Sequence, residues 1–182
     1  LADRYDPWLL RCDSQVMELS RLVGGELRRV ESHGLRQRLS ITLHRADDYD
    51  DQLADWLVRH AIELVHVRHI AWHGLGLTQV CRLLQIPVVF SFHDFYTVCP
   101  TIKLLDAQGR HCAGRCTDAL ADCSAELWPA SSVPPLKGRF IHRWREMMQA
   151  MLADVDACVT TSPAAREQLL SIYPPLAQRP FK

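Results

Sequence analysis

The sequence predicts an α/β fold: a parallel sheet flanked by helices, with a β-hairpin near the N terminus and a long cysteine-rich loop. Two short, β-branched segments, 63–69 and 86–92, enclose a helical segment. This strand–helix–strand order within about 30 residues indicates a βαβ unit, whose two strands are parallel. The second segment is almost continuously apolar, which is typical of strands that are buried on both faces of a parallel sheet.

The β-hairpin is predicted from a period of two in the N-terminal part of the chain. Within residues 35–43, apolar and polar side chains alternate, as they do in a half-buried strand. We expect this segment to pair with residues 26–32 across a turn at His33-Gly34.

The helices are predicted from apolar spacing and from capping residues. A cluster of aspartates opens a helix over about 50–61, and we prefer this interpretation to an acidic metal site because Asp favours helix N-termini. Further helices are expected over 74–84 and 138–153. The last helix begins with Ser162 as its N-cap and Pro163 at its first position.

Composition excludes several classes of function. The 182 residues, a length typical of one domain, include 21 basic and 21 acidic side chains, so no basic field exists to attract nucleic acid. No apolar run approaches the roughly 20 residues of a membrane-spanning helix. The chain starts at Leu1, with no Met and no signal-peptide pattern, so we expect an excised piece of a longer protein.

Polar side chains follow each of the predicted strands, the third of which covers 156–161. In an open parallel sheet, ligands bind beyond the carboxyl ends of the strands, so we expect a small-molecule site there. The candidates are His69, Trp72, His73 and Gly74 after the first strand, His93, Asp94 and Tyr96 after the second, and Thr161 and Ser162 after the third. An adjacent His-Asp pair also occurs in metal-dependent phosphohydrolases, where it lies on a helix. Here the pair follows an apolar strand, so we reject a phosphohydrolase metal site.

Four of the seven cysteines lie in one long loop, which we place at 94–135. Thiolate ligands at short spacings, on a loop without a core of its own, suit a tetrahedral structural zinc ion that would hold the loop in place. The candidate ligands are Cys99, Cys112, Cys116 and Cys123. Disulfides, or four free thiols in a reducing compartment, are the alternatives.

Four segments resemble the N-terminal half of family 4 glycosyltransferases, which have the GT-B fold of two Rossmann-like domains facing a cleft. The segments read ELVHVRHIAWHGLGL, IPVVFSFHDFYTVCP, LLDAQGRHCAGRC and FIHRWREMMQAMLADVDACVTTSPAAREQLL. The resemblance covers about 47–173, and its most specific part is a strand followed by His-Asp-aromatic and then Cys-Pro. The cysteine-bearing insert recurs in a subset of the family.

The resemblance implies an activity and a division of labour. These enzymes transfer a sugar from a nucleotide-diphosphate sugar to a glycan or lipid-linked acceptor with retention of configuration, and catalysis does not usually need a metal. The N-terminal domain mainly binds the acceptor, and the C-terminal domain binds the donor. The enzyme would be cytoplasmic or peripheral at the inner face of the membrane.

The resemblance also assigns roles to the strand-end residues. His93 matches the histidine that faces the cleft, where it would hydrogen-bond the donor sugar or phosphate, or stabilise developing charge. Asp94 would orient His93 or touch the acceptor, and Trp72 would stack on a sugar ring. Thr161 and Ser162 precede a helix N-terminus that favours anionic groups.

The chain departs from the family in two respects. The family's first strand and its glycine-rich turn are not recognisable, and the donor domain is absent from these residues. We therefore expect residues 1–182 to form a single Rossmann-like domain that is incomplete at its N terminus and inactive alone. An apolar face left uncovered would favour a homodimer. A zinc-stabilised interaction or regulatory module, and a different small-ligand Rossmann-like enzyme domain, are the alternatives.

Overall fold

The protein contains two three-stranded sheets and four α-helices within residues 4–116, 123–136 and 138–182, which are the residues that the computed structural model describes. The strands are β1 (Trp8–Cys12), β2 (Val16–Val23), β3 (Glu26–Gly34), β4 (Val65–Val67), β5 (Val88–Phe92) and β6 (Ala157–Thr160). The helices are α1 (Asp47–Arg59), α2 (Leu77–Leu83), α3 (Gly138–Leu152) and α4 (Pro163–Ile172), and short 3-10 helices cover Ala130–Ser132 and Pro174–Gln178. The predicted α/β fold class is confirmed.

The parallel sheet has the strand order β4-β5-β6. In its register Val65 lies opposite Val88, and Phe90 lies opposite Cys158. Cys158 also forms a parallel bridge to Phe181, which extends the sheet by one short pairing. Because all three strands run in the same direction, their carboxyl ends meet at one edge, as the βαβ pattern predicts.

The two faces of the parallel sheet differ in burial. One face carries apolar side chains that are at most 5% exposed and share a hydrophobic core with the helices. These residues are Val67, Val88, Phe90, Phe92 and Cys158. The opposite face carries the alternate positions. Among these, Ser91 is buried, whereas His66, Arg68 and His93 are exposed and leave a polar surface near the strand ends.

The hairpin near the N terminus is present, but its turn lies elsewhere than predicted. β2 and β3 are antiparallel and are joined at Gly24-Gly25, whose φ angles of 61° and 86° suit a two-residue hairpin turn. β3 continues to Gly34, so the predicted turn at His33-Gly34 is wrong. β1 pairs with the other edge of β2 and completes the sheet.

The predicted strand over 35–43 is also wrong. Leu39 and Ile41 are fully buried, so the alternation of the sequence does report burial. The backbone, however, folds back on itself, because Ser40 and Leu43 exchange their backbone hydrogen bonds at 3.1 Å. An irregular segment pressed against the core therefore produces the same period of two as a strand.

The helix starts agree with the capping predictions. The Ser162 hydroxyl accepts a hydrogen bond from the Ala165 N–H at 3.1 Å, and Pro163 opens α4. α1 begins three residues earlier than predicted and has Asp47, Asp48 and Asp50 in its first turn. In the described ranges, no helix is long and apolar enough to cross a membrane.

Candidate functional site

Three pairs of side chains join the carboxyl end of β4 to that of β5. The pairs are His66 with Ser91 (2.7 Å), Arg68 with His93 (2.8 Å) and His69 with Asp94 (3.1 Å). They meet because β4 and β5 are neighbours in the sheet and both end in polar residues. The strand-end site predicted from the sequence therefore has a defined geometry between these two strands.

The Arg68–His93 pair fixes the protonation of the histidine. The Arg68 Nε–H can only donate, so the Nε2 of His93 must accept the hydrogen bond. The proton of the neutral imidazole then lies on Nδ1. Because His93 is exposed, this N–H is available to donate to a ligand.

The His69–Asp94 pair is held at both ends. The Ala71 N–H donates to Nδ1 of His69 at 3.1 Å, so Nε2–H donates to Asp94. The second oxygen of Asp94 accepts from the Tyr96 N–H at 2.8 Å. Burial alone would raise the pKa of Asp94, but these hydrogen bonds outweigh it and hold the pKa below its ordinary value. Asp94 therefore orients His69 and forms no hydrogen bond to His93.

A small cavity lies beside these pairs, lined by the ends of β4 and β5 and by Tyr96 and Thr97. Its volume of about 10 Å³ is enough for about one water molecule. A sugar therefore cannot enter it and would have to lie across its mouth. The Thr97 hydroxyl is buried and has no hydrogen-bond partner among the described residues.

Tyr96 belongs to a buried network as well as to the cavity wall. Its hydroxyl accepts from the Trp128 indole at 2.9 Å and lies 3.2 Å from Nε2 of His44. Trp144 of α3 donates to the Tyr96 carbonyl at 3.0 Å. Burial lowers the pKa of His44 to about 4. The Tyr96 hydroxyl thus holds the turn after β5 in place, and no free hydroxyl of Tyr96 faces the site.

His73 and Gly74 have structural surroundings. The Tyr49 hydroxyl bonds Nδ1 of His73 at 2.8 Å, and burial together with nearby His69 lowers the pKa of His73 to about 4. At Gly74 an added Cβ would lie 2.6 Å from the Tyr49 ring, so the glycine is needed for close packing. Neither residue lines the cavity at the strand ends.

Trp72 connects the strand ends to the long loop. Its indole N–H donates to the Leu127 carbonyl at 2.9 Å, and its backbone has a φ of 64°. A positive φ is costly for a bulky residue and is retained only where the surroundings enforce it. Trp72 is half-buried, and its stacking on a sugar stays a prediction.

Thr161 and Ser162 lie after β6 and are exposed. Ser162 uses its hydroxyl to cap α4, and neither residue lines the cavity between β4 and β5. The carboxyl end of β6 thus lies on the same edge of the sheet, but the hydroxyls of Thr161 and Ser162 are not part of the three side-chain pairs between β4 and β5.

Four residues of this edge are not among those predicted from the sequence: His66, Arg68, Ser91 and Thr97. His66, Arg68 and Ser91 could have been found from the period of two along β4 and β5. Every second residue of a strand lies on the same face, and these three lie on the face opposite the hydrophobic core. The unpaired hydroxyl of Thr97 has no sequence signal, because it depends on how the turn after β5 packs.

The structure gathers the predicted cysteine ligands without forming a metal site. Arg145 of α3 donates to the carbonyls of both Val98 and Gly114, so two parts of the loop are held together. Burial and the thiols of Cys99, Cys112 and Cys123 raise the pKa of Cys116 to about 11, although Arg145 opposes them. In the described parts of the chain, no three Cys, His, Asp or Glu side chains lie close enough to hold a metal. Residues 117–122 of the predicted insert lie outside the described residues.

The family comparison agrees with this fold. Residues 23–179 match the model of Glycosyltransferase Family 4, so the match includes β3 to β6 and all four helices. No curated protein and no solved structure gives a significant match. The chain therefore belongs to glycosyltransferase family 4, of which it forms an N-terminal domain.

Proposed function

We propose that this domain is the acceptor-side half of an enzyme that transfers a sugar from a nucleotide-diphosphate sugar to a glycan or lipid-linked acceptor. The observation that carries the proposal is the cluster of paired polar side chains at the carboxyl ends of β4 and β5, within a domain of this family. A cavity that holds about one water cannot enclose a substrate, so the cluster requires a second surface opposite it. In our proposal a donor domain outside residues 1–182 supplies that surface.

His93 is the residue we propose to act at the transferred group. His93 is exposed and its tautomer is set by Arg68, so its Nδ1–H donates to an oxygen of the donor sugar or phosphate that gains charge as the bond to the sugar breaks. His69 and Asp94 hold each other and contact the acceptor. With a lipid-linked acceptor, the reaction takes place at the cytoplasmic face of the membrane.

The proposal is tested by assaying sugar transfer by the protein made from the complete gene and by the 182-residue chain. Each is incubated with labelled nucleotide-diphosphate sugars and with glycan or isoprenyl-linked acceptors. We expect the complete protein to transfer label with retention of anomeric configuration, and the chain alone to transfer none. Lack of transfer by the complete protein with every donor would favour the interaction or regulatory module instead.

We further propose that Cys99, Cys112, Cys116 and Cys123 bind a structural zinc ion that draws the four thiols together. Their influence on one another's pKa values and the clamp formed by Arg145 support this proposal. Four thiolates are a donor set that zinc binds tetrahedrally. The thiols would have to move closer than they are in this arrangement.

Replacing one of these cysteines should remove the metal. We expect about one zinc per purified chain, and we expect Cys112→Ser to lose it and to melt at a lower temperature, because metal binding is coupled to the ordering of the loop. Cys12→Ser is the matched control, since Cys12 lies in β1 outside this group. Elemental analysis and thermal unfolding measure both effects. A zinc-free chain from zinc-replete cells would contradict the proposal, and a mass deficit from paired thiols would identify disulfides.

A further inference from the structure

In the part of the chain that the structure describes, Arg68 forms no ion pair on its face of the sheet. Asp94, the carboxylate that follows β5 on the same edge, is bonded to His69 and to the Tyr96 N–H instead. An exposed guanidinium therefore lies beside a histidine, and no carboxylate of the described residues is directly bonded to it.

The donors on this face point to an oxygen-rich anion. Arg68 uses Nε to bond His93, and its two terminal nitrogens have no hydrogen-bond partner among the described residues. His93 is exposed and adds a second donor, its Nδ1–H. Partial burial lowers the pKa of His66, and the nearby Arg68 and His93 lower it further, so both side chains lie close to His66. A planar fork of N–H groups beside another N–H donor matches the oxygens of a phosphate group.

The Thr97 hydroxyl, which is buried and has no hydrogen-bond partner among the described residues, is a second observation that does not depend on Arg68. Thr97 is 3% exposed and lines the cavity together with Arg68 and His93. A buried hydroxyl without a hydrogen-bond partner destabilises the folded state. A ligand oxygen, or a water held under a ligand, would satisfy it.

We propose that Arg68, assisted by His93, binds a phosphate group of the substrate at the mouth of this cavity. The inference rests on the proposed function, because it names the chemical group that the ends of β4 and β5 hold. The diphosphate of the donor and the phosphate ester of a lipid-linked acceptor present the same oxygens, so the site takes either one by the same chemistry.

The experiment measures equilibrium binding of the 182-residue chain to four probes, which are inorganic pyrophosphate, a nucleoside diphosphate, a short-chain isoprenyl phosphate and the corresponding isoprenol. We expect Arg68→Gln to weaken binding of the phosphate-bearing probes at least about tenfold, because it removes charge-assisted hydrogen bonds. The affinity of Arg68→Lys should lie between those of the wild type and Arg68→Gln, since lysine keeps the charge but lacks the planar pair of N–H donors. Arg28→Gln is the matched control, because Arg28 is an exposed arginine of β3 in the other sheet.

The four probes also distinguish the two sources of the phosphate. Tighter binding of the isoprenyl phosphate than of the two diphosphates assigns the site to the acceptor, and the reverse assigns it to the donor. The proposal is overturned if the wild-type chain binds no phosphate probe, if isoprenol binds equally well, or if Arg68→Gln binds like the wild type. Unchanged thermal melting of Arg68→Gln shows that its fold is intact. Because the assay measures binding alone, a failure of sugar transfer would count against the proposed enzyme and leave this result standing.

Discussion

Acidification from pH 7.5 to 5.0 should destabilise the folded chain by about 2 to 4 kcal/mol, mainly through two histidines that fold in their neutral form. His44 is 1% exposed, lies among Tyr96, Trp128 and Trp144, and has its pKa lowered to about 4 by burial. His73 also has a pKa of about 4.

The direction of the effect follows from the two protonation equilibria. The unfolded chain takes up protons on both imidazoles as the pH falls through about 6.5, whereas the folded chain takes them up only near pH 4. Stability is therefore complete above pH 6.5 and is lost progressively between 6.5 and 4. At pH 5 a fully buried histidine of this kind lowers the free energy of unfolding by about 2 kcal/mol relative to pH 7.5. His73 is half-buried, so its contribution is smaller.

Urea unfolding at the two pH values measures the loss. His44→Gln removes one of the two titrations and keeps a polar side chain, so its difference between the two pH values should be smaller by about 2 kcal/mol. His142→Gln is the control, because His142 is exposed on α3 and should leave the pH dependence unchanged. An equal pH dependence in His44→Gln and the wild type would show that this histidine is not the source.

The order of the parallel elements could be predicted because local rules and packing agree in that half of the chain. β5 is an apolar run, and the cap at Ser162 and Pro163 specifies the start of α4 without help from distant residues. The hairpin shows how a local rule is misapplied. Gly24-Gly25 carries the stronger turn signal, because Gly-Gly is a preferred dipeptide of two-residue hairpin turns. Both of these residues adopt positive φ, whereas Gly34 lies inside β3.

The pairing within the site could be predicted only in part. His69, His93 and Asp94 follow strand ends, and the rule that ligands bind there brings them to one edge. Which side chain bonds which depends on the offset between β4 and β5 and on the turns that follow them. For this reason Asp94 pairs with His69, and the Tyr96 hydroxyl points into the buried network with Trp128.

On the function proposed above, His93→Ala in the protein made from the complete gene should lower kcat/KM for sugar transfer by about a hundredfold or more. This is the usual effect of removing one hydrogen-bond donor that stabilises developing negative charge. The structural reason is that Arg68 fixes the tautomer of His93 and leaves Nδ1–H of this exposed residue as a donor at the strand ends. His93 is exposed and lies outside the hydrophobic core, so the variant should fold normally.

Steady-state kinetics and binding separate this role from a purely structural one. The loss should appear mainly in kcat, because the donor acts most strongly in the transition state, and His93→Asn should recover part of it by restoring an N–H donor. His142→Ala is the matched control at an exposed histidine of α3, and its kcat should be unchanged. Equal kcat values for His93→Ala and the wild type would remove His93 from the reaction. A rise in KM alone would limit His93 to the phosphate binding that it shares with Arg68 in our proposal.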